Sequence, residues 1–400
     1  MPSYLNALGV LCALGQGKQA VATALFAGDA SGMRKQSGWV TDRSLTVGAV
    51  SAELPPIPAG MQAAASRNNQ LLLAAALEIE PQIRAAITRY GADRVGVVLG
   101  TSTSGIHEAS QAIASHVSTG LIPADYRYSQ QEIVAPAAFL ADWLALSGPV
   151  YCLSTACTSS ARALLSAHRL LQQGLCDAVL CGGVDSLCRL TLNGFGALEA
   201  VSAERCNPFS INRQGINIGE GAALFLMTRQ AEDAGSSIAL FGSGASSDAH
   251  HISAPEPQGL GAQQAMRMAL ANAGVQASDI DYLNLHGTAT QHNDAMESLA
   301  VQAIFPAGVP CSSSKTLTGH TLGAAGALEA AFCWLSLSAA HNPDGLLPPH
   351  LWDGQGDPQL PALNLTTQST RLPTGRPRRL MSNSFAFGGS NTSLILGEAP

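Results

Sequence analysis

Twice in this chain, roughly 160 residues apart, an apolar strand runs into a turn of small polar residues and then into a helix. The first copy is Pro149-Val-Tyr-Cys-Leu-Ser followed by Thr155-Ala-Cys-Thr-Ser-Ser and a helix to about Gln173, with Gly174 placed to cap it. The second is Val309-Pro-Cys-Ser-Ser-Ser followed by Lys315-Thr-Leu-Thr-Gly-His and a helix rich in Gly and Ala. Elsewhere, short apolar strands such as 94–99, 177–181 and 281–285 alternate with helical stretches, and no linker or low-complexity segment interrupts them. That alternation predicts an α/β protein with buried sheets, and the repeat predicts a duplicated fold. The halves are expected at 1–235 and 236–400. Pro- and Gly-rich passages at 53–60, 253–261 and 342–361 read as loops.

Apolar residues make up 46% of the 400, enough for a large core, while charged residues make up 12%. The usual share is about 25%, so part of the surface is expected to meet another subunit instead of water. A formal charge of −7 argues against nucleic acid as a partner. Nine scattered cysteines with no C-x-x-C fit free thiols in a reducing compartment, hence a cytoplasmic protein. Residues 5–14 lack the basic flank of a signal peptide, and 322–340 carries Glu329 within its apolar run, so no membrane span is expected.

Four places carry chemistry. Cys157 follows a strand and opens a helix, where unpaired N–H groups and the helix dipole favour a thiolate nucleophile; a small buried hydrophobe would fit there as well. His286 ends a strand of the kind that presents ligands at its carboxyl end, although a satisfied buried histidine is an equal reading. His292 is expected outside the site, and Asp294 with Glu297 has the spacing of a capping box. Lys315 and His320 flank a tight turn at Gly319, and an apolar setting requires Lys315 to find a partner, with Glu329 the natural one. Finally, Ser382-Asn-Ser-Phe-Ala-Phe387-Gly-Gly-Ser-Asn-Thr-Ser reads as a hairpin whose Gly388 and Gly389 supply the turn and can leave N–H groups bare for an oxyanion hole.

In this order the motifs resemble those of the β-ketoacyl-acyl-carrier-protein synthases of the elongating type. The residues that carry the likeness are Thr155-Ala-Cys157-Thr-Ser, His286-Gly-Thr-x-Thr-x-x-Asn-Asp294, Lys315-x-x-Thr-Gly-His320 with Glu329, and Asn383-Ser-Phe-x-Phe387-Gly-Gly-x-Asn391. The resemblance runs from about residue 90 to the end, and more loosely through the first ninety residues. It implies the thiolase fold, a duplicated five-layer α-β-α-β-α sandwich, usually dimeric. It implies that Cys157 accepts an acyl chain and that the N–H groups of Cys157 and Phe387 form the oxyanion hole. His286 and His320, as neutral donors, would stabilise the enolate left when a malonyl thioester loses carbon dioxide. Lys315, held by Glu329, would shape the electrostatics, and Phe387 matches a gating aromatic. Asp294 and Gly388 would support the site. Carbon dioxide loss supplies the carbanion, so neither metal nor organic cofactor is implied.

The implied partner is an acidic acyl carrier protein, for which Arg67, Arg127 and Arg205 are candidate contacts. The 202–213 loop is shorter than the family norm, and 100–130 is idiosyncratic, with His107 and Tyr126-Arg-Tyr128. The resemblance implies chain elongation in fatty acid or polyketide/polyene synthesis, and such departures fit a specialised polyketide or aryl polyene pathway, as a homodimer or with a chain-length-factor subunit. Three rivals remain at this stage. A non-catalytic chain length factor would not retain Cys157, both histidines and Lys315. A coenzyme A-dependent thiolase or initiating synthase replaces one histidine. A cysteine hydrolase leaves the histidine pair unexplained.

Overall fold

The computed structural model describes residues 1–231 and 238–399. The half boundary expected at 235/236 lies outside the described residues. In the first half the chain forms β1 (Ser3–Cys12), α1 (Arg67–Glu78), β2 (Val95–Gly100), α2 (Ala135–Leu144), β3 (Val150–Leu153), α3 (Ser159–Gln172), β4 (Ala178–Asp185) and β5 (Gly221–Thr228). The second contributes β6 (Ile238–Ser247), α4 (Leu260–Ala273), β7 (Tyr282–Asn284), α5 (Gln291–Ile304), β8 (Pro310–Ser312), α6 (Ala325–Leu337), β9 (Arg379–Phe385) and β10 (Ser390–Glu398).

The two halves share one topology. From a short antiparallel seam, Ser3 and Tyr4 against Leu240 and Ala239, the strands run outward as β1-β5-β4-β2-β3 on one side. On the other they run as β6-β10-β9-β7-β8. The first two pairings are antiparallel and the next two parallel in each case. The chain permutation is the same, which is what a duplicated α/β unit predicts.

Side-chain alternation explains the layers. Along β5, Ala223, Phe225 and Met227 enter one core while Ala222, Leu224 and Leu226 enter another. The first core lies around α3 and α6, which pack against each other in the middle. The second lies under α1 and α2, and a third under α4 and α5. The result is a sandwich of helix, sheet, helix, sheet and helix.

Every residue of α6 is buried, as expected for a helix that is apolar all round. Its small residues let backbones meet: a Cβ at Gly326 would sit 2.7 Å from the Ala161 Cβ of α3. The central helices therefore start next to each other, and the turns that open them, 154–158 and 319–324, face one site.

Candidate active site

Cys157 sits two residues ahead of α3, in a turn where Ala156 takes a left-handed φ of 51°. The turn is tied down by Ser159, whose Oγ accepts from the Thr155 N–H at 2.9 Å and donates to the Ala156 carbonyl at 2.5 Å. This leaves the Cys157 side chain 7% exposed at the floor of a cavity of about 760 Å³. Burial pushes the thiol up to about 11. The Lys315 charge and the N–H groups of Phe387 and Cys157 act against that rise. The helix start does not by itself yield a resting thiolate, as the sequence suggested, because desolvation outweighs it.

His320 comes from the opposite half. Its Nε2 lies 3.0 Å from Cys157 Sγ. Its backbone is tied to the segment leading into β5: the His320 N–H donates to Asn217 O at 2.7 Å, and the Gly219 N–H donates to His320 O at 2.9 Å. Gly319, at φ 70°, passes so close that a Cβ there would lie 2.8 Å from the Gly219 nitrogen. The Leu322 N–H donates to His320 Nδ1 at 3.2 Å, which assigns the proton to Nε2. His286 reaches the same place from the end of β7, its ring 5.3 Å from that of His320 and nearly perpendicular to it. Lys315 Nζ lies 3.4 Å from His286 Nδ1 and donates to the His286 carbonyl, so here too Nε2 carries the proton.

Both imidazoles are held well below the usual histidine value, first by burial and then by the Lys315 charge. They are neutral donors. Lys315 pairs with Glu329 as expected, and both are buried. Burial raises Glu329 to about 7 against the pull of Lys315. Cys157, His286 and His320 offer ligand atoms within 4.8 Å of one another. With protonated Nε2 edges and an adjacent ammonium, that cluster suits an anionic oxygen better than a cation.

Asp294 and Glu297 are not a capping box. The helix begins earlier, at Gln291, and its cap is Thr290, whose side chain accepts from the Asn293 N–H. Both acids lie inside α5 and face inward. Glu297 accepts from the His286 and Gly287 N–H groups, each at 2.7 Å. Asp294 accepts from the Phe209 N–H at 2.8 Å and the Ala289 N–H at 3.2 Å. They hold the loop that carries His286. Burial raises Asp294 to about 6 and Glu297 to about 8. A signal for this was present in the sequence, since Glu297 shares a helical face with Ala300, Val301 and Ile304.

Phe387 lies in the turn between β9 and β10, 36% exposed, with its ring 5.7 Å from that of Phe195. Gly388 and Gly389 take φ of 84° and 77°, as the hairpin reading requires, and the Gly388 N–H donates to Ile252 O. His292, expected outside the site, is exposed yet lines the same cavity. None of the three candidate carrier contacts lines it among the described residues. Arg67 makes a two-pronged pair with buried Glu220. Arg127 folds back on the carbonyls of Ala124 and Tyr126, and Arg205 lines a separate cavity beside Lys35.

Comparison with known proteins is consistent with this geometry. Residues 16–233 match the beta-ketoacyl synthase N-terminal domain family, and residues 238–350 match the C-terminal domain family. Nodulation protein E of Rhizobium leguminosarum bv. trifolii is 30% identical over 405 residues, covering 98% of this chain and 98% of its own. The 3-oxoacyl-[acyl-carrier-protein] synthase 2 of Staphylococcus aureus is 31% identical over 353 residues, covering 82% of this chain and 83% of its own. A ketosynthase (ApeO) from Xenorhabdus doucetiae, solved in complex with its chain length factor (ApeC), is 48% identical, with a TM-score of 0.93 over 100% of this chain and 98% of that one.

Proposed function

Taking as premise that this chain belongs to the β-ketoacyl synthase family, we propose that it elongates acyl chains by decarboxylative Claisen condensation, with Cys157, His286 and His320 as its catalytic residues. The observation that carries the assignment of roles is the 3.0 Å approach of His320 Nε2 to Cys157 Sγ, from opposite halves, with His286 beside them.

In the first stage the Cys157 sulfur attacks an acyl thioester. The acyl–sulfur bond to Cys157 forms, the bond to the carrier breaks, and the carrier thiol takes the proton. In the second, a malonyl thioester enters and its carbon–carbon bond to the carboxylate breaks, releasing carbon dioxide. The electron pair becomes an enolate whose oxygen accepts from the two Nε2–H groups. The enolate carbon then attacks the acyl carbonyl, whose oxygen takes the N–H groups of Cys157 and Phe387. Collapse expels the Cys157 thiolate, and the β-ketoacyl product leaves on the carrier. Division into two covalent stages makes each step easier and predicts ping-pong kinetics. Lys315 keeps both imidazoles neutral and His286 in its tautomer, while Glu329 holds Lys315. No step calls for a metal or an organic cofactor.

The second reading, a non-catalytic chain-length-factor-like subunit, is disfavoured by the complete set of Cys157, both histidines and Lys315. An acyl carrier protein is the proposed donor and acceptor, with Arg127 and Arg205 kept as candidate contacts because both are exposed. Arg67 is a weaker candidate, being committed to Glu220. The 48% identity to a ketosynthase solved in complex with its chain length factor supports a heterodimer with such a subunit over a homodimer. Polyketide or polyene assembly is the proposed pathway class. Among the described residues no helix is long and apolar enough to cross a membrane, and the proposed location is the cytoplasm.

Intact-mass measurement after incubation with a panel of acyl-carrier thioesters tests this directly. The expected result is one acyl adduct on the wild type and none on Cys157→Ala; absence of an adduct with every acyl chain would remove the catalytic reading.

A further inference from the structure

The steps proposed above make no use of the buried acid Asp185. Asp185 ends β4, is fully buried, and has no arginine or lysine partner among the described residues. Five donors converge on it instead. Its Oδ1 accepts from Thr101 Oγ1 at 2.8 Å, from the Ser102 and Thr103 N–H groups at 2.8 Å each, and from Thr103 Oγ1 at 2.7 Å. Its Oδ2 accepts from the Ala324 N–H at 3.0 Å. One oxygen therefore grips the loop after β2, and the other grips the turn that follows His320.

That turn is where the tautomer of His320 is set. Leu322, at a left-handed φ of 51°, aims its N–H at His320 Nδ1. A non-glycine residue holds such a backbone only where its surroundings enforce it. The Leu322 side chain is anchored in a cluster with Leu187, Leu192 and Ile218, and Ala324, two residues on, is held by Asp185. Gly323 leaves no slack: a Cβ there would lie 2.7 Å from Ser102 Oγ and 2.9 Å from Asp185 Oδ2.

We propose that Asp185 is a positioning residue, which through Ala324 holds the 321–324 turn so that the Leu322 N–H keeps His320 in its Nε2–H form. This rests on the role given to His320 above, so the test must separate the two claims.

Asp185→Asn is the informative change, because its effect is one-sided. The amide oxygen can still serve the four donors of the 101–103 loop, whereas the NH2 group would confront the Ala324 N–H, donor against donor. The fold is expected to survive while the turn shifts. Thr101→Val is the control, since it removes a donor on the far side of the same carboxylate. Histidine-labelled protein is examined by 15N NMR, with melting temperature and malonyl-carrier decarboxylation measured alongside. In Asp185→Asn the His320 signals should move from the Nε2–H pattern toward a tautomer mixture, and decarboxylation should fall about tenfold, the worth of one directed hydrogen bond. Thr101→Val should lower the melting temperature without moving the His320 signals. The proposal is overturned if folded Asp185→Asn keeps the wild-type His320 pattern, or if Thr101→Val shifts it equally. Should the tautomer shift while decarboxylation is unaffected, even in His320→Ala, the catalytic reading fails and the positioning claim stands.

Discussion

Lys315 is buried, and its ammonium is shared between the Glu329 carboxylate and the carbonyl and Nδ1 of His286. One cation thus fixes a tautomer and also keeps two imidazoles uncharged, since protonating either would place like charges together without water. A functional consequence follows for pH. Both histidines are depressed well below 6.5, so the neutral Nε2–H tautomers persist as acid is added and give way to cations only when pH falls past those lowered values. Decarboxylation of malonyl-carrier should stay within about twofold between about pH 7.5 and about pH 6, where an ordinary histidine would already be largely charged. A stopped carbon dioxide release assay across that range checks it, and a decline centred near the ordinary histidine value would mean the pair is not shielded.

At the scale of elements, the site depends on two helices coming close enough for their opening turns to share a cavity. Gly326 against Ala161 sets that spacing, with no room for a side chain: a Cβ would lie 2.7 Å from the Ala161 Cβ and 2.8 Å from its nitrogen. Gly326→Ala should therefore lower stability by about 1–3 kcal/mol, the usual cost of overpacking, despite alanine's better helix propensity. A denaturation curve with unchanged slope and a lower midpoint is expected; an unchanged or higher midpoint would show that the helices have slack. Much at this scale was legible beforehand. The strand–turn–helix repeat placed Cys157, Lys315 and His320, and the bulk-free run after His320 announced a deeply packed helix. Glu297 and Asp294 were misread because capping is a local pattern, whereas their partners, the N–H groups of His286, Gly287 and Phe209, are chosen by the tertiary fold. Asp185 gave no signal at all, since its donors lie more than eighty residues upstream and over a hundred downstream. Arg67 reads in the sequence as a carrier contact for the same reason, its partner Glu220 being 153 residues away.

For the whole molecule, sparse charge and exposed apolar residues point the same way. On and just beyond the helix Ile106–Thr119, Ile113 is 53%, Val117 81%, Leu121 73% and Ile122 60% exposed. Val117→Asp should leave the fold intact and weaken assembly with itself or with a chain-length-factor subunit, read as a smaller species by sedimentation; unaltered assembly would place the partner elsewhere. Within one subunit, the account stands on a sulfur from the first half meeting two neutral imidazoles from the second. The direct test is carbon dioxide release from malonyl-carrier by Cys157→Gln, alone and combined with His286→Ala or His320→Ala. The single variant should decarboxylate without loading any acyl chain, and either histidine change should lower that rate by about a hundredfold or more. Full-rate decarboxylation in both histidine variants would contradict the division of labour proposed for this site.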